Sequence, residues 1–331
     1  MDSWQPSAQI ETLRLRARSL ESVRQFFAER QVLEVETPLL CTSAVTDPHI
    51  ASIRCKINSL SDRTLYLRTS PEFHMKRLLA AGMPDIYQIG KAFRDDEIGT
   101  RHQPEFTLIE WYRRGFELSE MIDETCALIM DISLGCRASL TEVERIPYRE
   151  LLLAKTGCDP LDEDTGRFLR SARSALGDLL EPNFLTTLGQ NRSSWLDLMI
   201  SQLVAPGLGR TGLSVVFDFP AEQAQLARLS PKDSRIAERF EIFHQGVELA
   251  NGYRELSDPV QQSLRFDSDR KRRRELDLPD VDPDQALLQA LQHGLPDCSG
   301  VAVGLDRILM LCSSHAHITE TVSFSLPTQL G

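Results

Sequence analysis

Apolar residues recur along the chain with either helical or strand-like spacing, and this spacing predicts its helices and strands. Residues Ile10 to Arg30 carry apolar side chains at helical spacing, which predicts one long helix. The run VLEVETPLL that follows alternates like a strand. Pro38 within it requires an edge or interface position, because proline cannot donate to a sheet ladder. A second helix is predicted to begin near Ser70 and to end at Gly82.

Strand patterns dominate on both sides of a helical stretch. IYQIGKAF and FTLIEWYRR predict two strands joined by the long polar loop RDDEIGTRHQPE, and a loop of that length is a functional candidate. Residues 118 to about 212 are helical in pattern and are interpreted as an insertion or connecting region. LSVVFDFP, FEIFHQGVELANGYREL and SGVAVGLDRILMLC then predict a buried strand, a strand pair and a strand running into a helix. The simplest arrangement is a single α/β (α+β) domain over residues 1–331, with a mostly antiparallel sheet flanked by helices.

Composition narrows the class of protein. Hydrophobic residues make up 41% and charged residues 26% of the 331 positions, which is typical of a soluble globular protein. No apolar run approaches the ~18 residues of a membrane span, and the polar N-terminus MDSWQPSAQ lacks a secretory pattern. Seven cysteines, an odd number without a CxxC pair, favour free thiols in a reducing compartment. We therefore expect a cytoplasmic protein without a membrane partner.

The net charge of −11 argues against a large nonspecific nucleic-acid surface, which would need many Lys and Arg contacts to phosphates. One basic run, residues 270–274, sits in a helical pattern. A solvated helix face is the favoured interpretation of this run, and a docking surface is the alternative.

Candidate chemistry first appears in the strand FTLIEWYRR. Alternation places four side chains on one face: Phe106, Leu108, Glu110 and Tyr112. The outer two lie ~20 Å apart, enough for a nucleotide and an amino acid. The alternative is a half-buried strand whose Glu110 meets a neighbouring Arg or Lys. The preceding loop mixes charges suited to a polyphosphate and its metal, although exposed loops also carry such mixtures by chance: Arg94, Asp95, Asp96, Glu97, Arg101 and His102.

These segments together resemble the class II aminoacyl-tRNA synthetases. Three segments resemble the three signatures of this class, in the right order along the chain. The first helix followed by VLEVETP resembles signature one, FRDDEIGTRHQPEFTLIEWY resembles signature two, and GVAVGLDR resembles signature three. SPEFHMKRLL, HQPEFTLIEWY and FEIFHQGVELANGYREL are most similar to lysyl-tRNA synthetase. The resemblance implies a ligase that activates a lysine-like amino acid with ATP and Mg²⁺.

By that resemblance, the catalytic residues are Arg94, on the α-phosphate, and Arg307, on one face of adenine. The other implied ATP contacts are Asp95, Asp96, His102, Gln103, Phe106, Glu248, Leu249 and Gly304. Asp95 and Asp96 stand where the family usually has Asn and Glu, and Gln103 stands where Asn is usual.

Glu241 and Glu248 match the family's acidic pair for Mg²⁺, whose hard charge suits oxygen ligands. A turn near Gln245 and Gly246 would bring these two glutamates onto adjacent strands. The alternative is a surface hairpin with two solvated acids, in which Asn251 and Gly252 could equally form a tight turn.

The residues implied for the amino acid are Ser70, Pro71, Glu72, Glu110, Tyr112, Asn251, Glu255 and Ala302. Several acids around one site imply a dicationic substrate, because a buried carboxylate without a cation is costly or becomes protonated. Ala302 stands where lysyl-tRNA synthetases have glycine. Its methyl group would disfavour an α-amino group and favour one displaced by a carbon, as in β-lysine; simple strand packing is the alternative role.

The acceptor is a separate question. Lysyl-tRNA synthetases carry an N-terminal anticodon-binding barrel, whereas this chain starts almost directly at the catalytic helix, so tRNA is not the expected partner. WQPSA, PDCSGVA and ELANGYREL resemble the elongation factor P lysyltransferases, which pass (R)-β-lysine to that factor. Two alternatives stay open: a shortened synthetase that acylates RNA or another carrier, and a regulator without catalysis. The first signature and Pro38 also imply a homodimer.

Overall fold

Nine α-helices and eleven strands make up the part of the chain that the computed structural model describes, which is residues 4–60, 63–95, 97–134, 140–180 and 188–326. The helices are α1 (Ile10–Glu29), α2 (Glu72–Ala80), α3 (Leu118–Ser133), α4 (Tyr148–Thr156), α5 (Thr165–Leu176), α6 (Arg192–Met199), α7 (Pro259–Glu275), α8 (Gln285–Gly294) and α9 (Leu305–Cys312). The strands are β1 (Leu33–Glu34), β2 (Leu40–Cys41), β3 (Arg54–Cys55), β4 (Leu65–Leu67), β5 (Ile86–Phe93), β6 (Glu105–Arg114), β7 (Val143–Pro147), β8 (Leu213–Pro220), β9 (Ile236–His244), β10 (Val247–Arg254) and β11 (Cys298–Gly304).

The chain forms two compact units. The first comprises Met1–Ser139 and Glu255–Gly331, and the second comprises Leu140–Arg254. The single domain expected over residues 1–331, with residues 118–212 as its insertion, stays a prediction.

In the first unit, four strands lie in the order β1-β5-β6-β11. β5, β6 and β11 pair antiparallel, and β1 joins β5 in parallel. A smaller sheet has the order β2-β4-β3. This mixture of mostly antiparallel strands and helices confirms the expected fold class.

The run VLEVETPLL is not one strand, contrary to the pattern. It divides into β1 and β2, which belong to different sheets, and Pro38 lies between them outside both. The reason is physical: proline lacks the N–H that would continue the ladder. β1 pairs with β5 and ends the strand order, so the expected edge is confirmed for this segment.

In the second unit, the strand order is β10-β9-β8-β7, with β7 and β8 parallel and the other pairs antiparallel. The β9–β10 hairpin turns at Gln245 and Gly246, whose φ angles of 48° and 70° are left-handed. Glycine removes the steric cost of that conformation at the second position. Helices α4 to α6 pack against this sheet through a core that includes Tyr148, Phe168 and Trp195.

The basic run on α7 is largely neutralised by its own chain. Arg270 and Arg274 pair with Asp280, Arg272 pairs with Glu275, and the buried Arg273 donates to the carbonyl of Pro279. This pattern favours the solvated helix face over the docking surface.

Two further expectations concern the surroundings of the protein. None of the described helices is both long and apolar enough to cross a membrane. Cys41, Cys55 and Cys158 carry free thiols, but Cys312 is disulfide-bonded. The expectation of free thiols throughout was therefore wrong, because Cys spacing alone does not reveal which sulfur atoms the fold brings together.

Candidate functional site

The nucleotide end of the candidate site starts in the loop between β5 and β6. The backbone N–H of Arg94 donates to the carbonyl of Pro104 at 2.9 Å, which closes the base of the loop. The Arg94 guanidinium lies over the Phe106 ring, 5.2 Å from its centroid, and its Nη1 pairs with Glu97 at 3.3 Å. A cation and an aromatic face thus stand together at the start of β6, as expected for a nucleotide site.

Arg307 reaches the same loop from the first turn of α9. Its Nη2 lies 2.7 Å from Nε2 of His102. The preceding Gly304 ends β11 and pairs with Leu108 on β6. A Cβ on Gly304 would meet Arg307 carbons at no less than 3.7 Å, so Arg307 itself leaves room for a side chain there. Two contact pairs, Arg94 with Phe106 and His102 with Arg307, therefore lie in the first unit, and we call these four residues the nucleotide set.

A buried network behind β6 fixes these groups. The Arg16 guanidinium donates to Asp306 Oδ1 at 2.5 Å and to the Thr107 hydroxyl at 2.7 Å, and the Thr107 N–H donates to Asp306 Oδ2 at 2.7 Å. Thr107 follows Phe106 and Asp306 precedes Arg307 in the chain. Charge-assisted bonds of this kind set orientation, so the network orients both ends of the nucleotide set.

Two other residues of this loop contact main-chain carbonyl groups. Asp95 is exposed, and its backbone N–H donates to Ala51 O at 2.9 Å. Gln103 is buried and its amide donates to His102 O at 3.3 Å. Asp96 lies outside the described residues.

Three carboxylates from separate segments form what we call the acidic cluster: Glu72 on α2, Glu110 on β6 and Glu255 just after β10. Glu110 and Glu255 are both buried, with 2% and 3% of their surface exposed. The Ser70 hydroxyl donates to Glu110 Oε2 at 2.9 Å, and the Tyr112 hydroxyl donates to Glu110 Oε1 at 2.8 Å. This contact confirms the alternation predicted for β6, which placed Glu110 and Tyr112 on one face of the strand.

The residues at the start of α2 position Glu72. Pro71 is buried and occupies the N-cap position of the helix. The Ser70 Oγ accepts the N–H of Glu72 at 3.0 Å, so one hydroxyl links the helix start to Glu110. Serine is well suited to this dual role because a hydroxyl both donates and accepts.

A lysine on α2 contacts two acids of the cluster. The Lys76 ammonium lies 2.6 Å from Glu72 Oε1, one helical turn away, and 2.5 Å from Glu255 Oε2. Glu255 Oε1 accepts no hydrogen bond from any residue that the structure describes. A buried carboxylate oxygen without a donor is costly, and it is the feature expected of a group that binds an ammonium.

Burial and neighbouring charges shift the pKa values of Glu110, Glu255 and Lys76. Burial and the nearby Glu72 raise the pKa of Glu110 to about 7, although the Tyr112 and Ser70 hydrogen bonds oppose the rise. Burial raises the pKa of Glu255 as well, against the effect of Lys76 and with that of Glu72. Burial opposes the charge on Lys76, but Glu255 and Glu72 together raise its pKa above the ordinary value. Glu72 and Glu255 both contact the Lys76 ammonium, and their negative charge keeps that ammonium protonated.

β11 forms the other border of the cluster. Gly300 pairs with Tyr112 and Ala302 pairs with Glu110, so both lie on the face of the acids. A Cβ on Gly300 would collide with Glu255 Oε1 and with the Tyr112 ring. Glycine is needed at this position because Glu255 approaches the strand backbone. Ala302 is half-buried and lies opposite Glu110 in the strand register.

In the second unit, the sheet register brings the predicted metal ligands onto one face. Glu241 pairs with Asn251, and Glu248 pairs with Phe243, two residues along from Glu241. The register shifts between Glu248 and Ala250, which leaves Leu249 as the extra residue. Without that bulge, Glu248 and Asn251 would point to opposite faces, because they are three residues apart.

Arg239 anchors this face. Its Nε donates to Asn251 Oδ1 at 3.0 Å, its Nη1 donates to Gln223 O at 2.8 Å, and its Nη2 pairs with Glu241. Asn251 also donates to Gln225 at 3.1 Å. Asn251 and Gly252 lie within β10, so the alternative of a tight turn there is wrong.

The geometry also includes residues that sequence reasoning did not select. Lys76, Gly300 and Arg239 each contact or border a predicted site residue. Lys76 carried one usable signal, its position four residues after Glu72 on a predicted helix, but that spacing equally describes a surface ion pair.

Comparisons with known proteins agree with these observations. The family described as tRNA synthetases class II (D, K and N) matches residues 2–328. An elongation factor P–(R)-β-lysine ligase of Vibrio cholerae is 43% identical over 329 residues, covering 98% of each chain. Ligases of the same description from Haemophilus influenzae and Yersinia enterocolitica are 40% and 42% identical, covering 98% and 97% of each chain.

Proposed function

Because the chain belongs to the class II tRNA synthetase family and is similar throughout its length to elongation factor P–(R)-β-lysine ligases, we propose that it joins (R)-β-lysine to that factor. The chain is a ligase of this family. The observation that carries the substrate proposal is the acidic cluster, in which Glu110 and Glu255 are both buried and Glu255 Oε1 accepts no hydrogen bond from the described residues. A substrate with two ammonium groups would bring positive charge to these carboxylates.

The first step proposed is the attack of the substrate carboxylate on the α-phosphorus of ATP. A bond forms between a carboxylate oxygen and phosphorus, and the bond to the bridging oxygen breaks, which releases pyrophosphate and leaves an aminoacyl adenylate. Arg94 binds the α-phosphate and Arg307 covers adenine opposite Phe106, so catalysis comes from positioning and charge. His102 binds the outer phosphates, and Asp95, Asp96, Gln103, Leu249 and Gly304 complete the proposed nucleotide contacts.

Mg²⁺ is proposed to bind at Glu241 and Glu248. The described residues hold no group of three or more potential metal ligands, but Mg²⁺ in phosphate chemistry commonly uses one or two carboxylates together with substrate oxygens. The bulge at Leu249 places both glutamates on one face of the hairpin, which fits that use. When bound, the ion would offset negative charge on the phosphates.

The second step proposed is aminoacyl transfer. The neutral ε-amine of a lysine on elongation factor P attacks the adenylate carbonyl, AMP leaves with the bonding electrons, and the nitrogen loses one proton as the amide forms. Ser70, Pro71, Glu72, Glu110, Tyr112, Asn251, Glu255 and Ala302 are proposed to hold the amino acid during both steps. The reaction takes place where translation factors work, so we place the protein in the cytoplasm.

The acceptor is tested by transfer of label. The chain, ATP, Mg²⁺ and labelled lysine or (R)-β-lysine are incubated with either elongation factor P or tRNA. We expect label on elongation factor P, with (R)-β-lysine preferred. Label on tRNA alone would support a shortened synthetase, and no label on any carrier together with no adenylate would support a regulator; both results contradict the proposal.

Ala302 is expected to set the isomer preference. Changing Ala302→Gly removes the methyl group beside Glu110 and should raise the use of lysine relative to (R)-β-lysine by about 10-fold, the effect of a single methyl in a binding site. The ratio of kcat/KM values in pyrophosphate exchange measures this change. Val301→Ala, on the opposite face of β11, is the control. An unchanged ratio in Ala302→Gly would leave only a packing role for the methyl group.

We also propose that the chain is a homodimer. β1 is an edge strand, and Leu33, Leu39 and Leu40 near it are each 42–46% exposed. Exposed leucines beside an unpaired edge are typical of an interface. Sedimentation at micromolar concentration should give a dimer for the wild type and a monomer for Leu33→Glu. A wild-type monomer would contradict the proposal.

A further inference from the structure

Lys76 is the one ammonium in ion-pair contact with the acidic cluster among the described residues, and its side chain is 1% exposed. It joins two separate segments, since Glu72 lies on its own helix and Glu255 follows β10. Burying an ion pair gives little stability compared with apolar packing. Its placement therefore calls for a role beyond holding α2 in place.

The contacts of Glu255 show what this lysine does. Oε2 lies 2.5 Å from the Lys76 ammonium, whereas Oε1 lies beside Gly300, where an added Cβ would meet both Oε1 and the Tyr112 ring. The carboxylate is thus fixed from one side by an ammonium and from the other by a strand without a Cβ. Lys76 thereby aims Oε1 toward the side of the cluster where Tyr112 meets Glu110.

The acids of the cluster carry more charge than Lys76 offsets. Glu72, Glu110 and Glu255 contribute three negative charges when ionised, and Lys76 contributes one positive charge. The difference is two negative charges. Arg68 also acts on Glu110, but its guanidinium donates to Thr37 and to the Lys91 carbonyl instead of contacting the acids.

We propose that Lys76 is a positioning and specificity-determining residue: it fixes Glu72 and Glu255 and leaves the cluster with the charge that matches a substrate bearing two ammonium groups. The inference deepens the proposed function and rests on it. Lys76 touches the acids and not the reacting atoms, so its effect reaches the substrate through Glu255 and Glu72.

The pH dependence of substrate binding is the readout. Carboxylates must be ionised to bind ammonium groups, and burial raises the pKa values of Glu110 and Glu255. The groups that face these two acids are Lys76, Glu72, Tyr112, Ser70 and Arg68. In the wild type, the KM for the amino acid should fall as pH rises through about 7 and above, because the acids become charged.

Lys76→Met removes the ammonium and raises the pKa of Glu255 further. We expect the KM for (R)-β-lysine at neutral pH to rise by about 10-fold or more and the pH profile to move upward by ~1 unit, the effect of losing one nearby opposite charge. The KM for ATP should change by less than about 2-fold, because Lys76 pairs with Glu72 and Glu255 of the acidic cluster; each tenfold change corresponds to ~1.4 kcal/mol. Lys91→Met, a lysine paired with exposed Glu105, is the control.

A double variant keeps the test informative if the single variant does not fold. Lys76→Met with Glu72→Gln removes one acid together with the ammonium, so the formal charge of the cluster stays at two negative charges. Its pH profile should remain near that of the wild type, although its KM rises. The inference would be overturned if the pH profile of the double variant moved upward as far as that of Lys76→Met. It would also be overturned if Lys76→Met left both the KM and the pH profile unchanged. Wild-type protein that neither binds nor activates any lysine isomer would overturn the proposed function itself.

Discussion

Arg94→Ala is expected to lower the rate of amino-acid-dependent pyrophosphate exchange by about 100- to 1,000-fold, the loss seen when one preorganised donor to a developing charge is removed. Arg94 stands at the start of the nucleotide loop, over Phe106 and tied to Pro104 through its backbone. Alanine leaves that backbone bond intact while removing the guanidinium, so the loss reports on charge and orientation. Exchange of labelled pyrophosphate into ATP at saturating amino acid measures the effect.

Two other variants serve as controls for Arg94→Ala. Arg114→Ala removes an exposed arginine at the far end of β6, whose partner is Asp85, and should leave exchange within about 2-fold of the wild type. Arg94→Lys keeps a point charge but loses the planar fork and should recover part of the rate. Equal exchange by Arg94→Ala and Arg114→Ala would remove Arg94 from the catalytic step.

The second large effect is expected at Glu255. Glu255→Gln keeps the shape of the side chain but removes the charge, and the KM for (R)-β-lysine should rise by about 30-fold or more, the cost of losing one partner of a buried charge pair. The KM for ATP should stay near the wild-type value, because the nucleotide set lies at the other end of the β6 face. Substrate-dependent exchange at varied amino acid and varied ATP separates the two constants.

Glu105→Gln provides the matched control. Glu105 is an exposed acid at the start of β6 and pairs with Lys91 at 3.1 Å. It should leave both KM values unchanged, since exposed pairs contribute little. If Glu255→Gln raised the two KM values together, the residue would act on the fold and not on the amine.

The sequence predicts a structural feature best where the regular spacing of residues along a helix or strand determines it. Alternation in FTLIEWYRR places Glu110 and Tyr112 on one face, and the structure joins their side chains at 2.8 Å. The long loop between β5 and β6 and the turn at Gly246 were also predicted, because strands have period two and left-handed turns favour glycine. Order along the chain and the family resemblance then identified the segments that supply the site.

The remaining features depend on contacts that no local pattern carries. Glu248 and Asn251 share a face only through the bulge at Leu249, since strict alternation would separate them. Lys76 looked like one more charged residue of a helix until the fold brought Glu255 to its ammonium. Gly300 looked like an interruption of a strand, and only the approach of Glu255 gives the reason for it. Pro38 divided a run whose alternation indicated one strand.

The chain is proposed to activate an amino acid with two ammonium groups. Wild-type protein with ATP and Mg²⁺ should exchange pyrophosphate when (R)-β-lysine is present and far more slowly with norleucine, which has one ammonium group and no charge on its side chain. Exchange that is equal for these two amino acids, or absent with every lysine isomer, would contradict the claim.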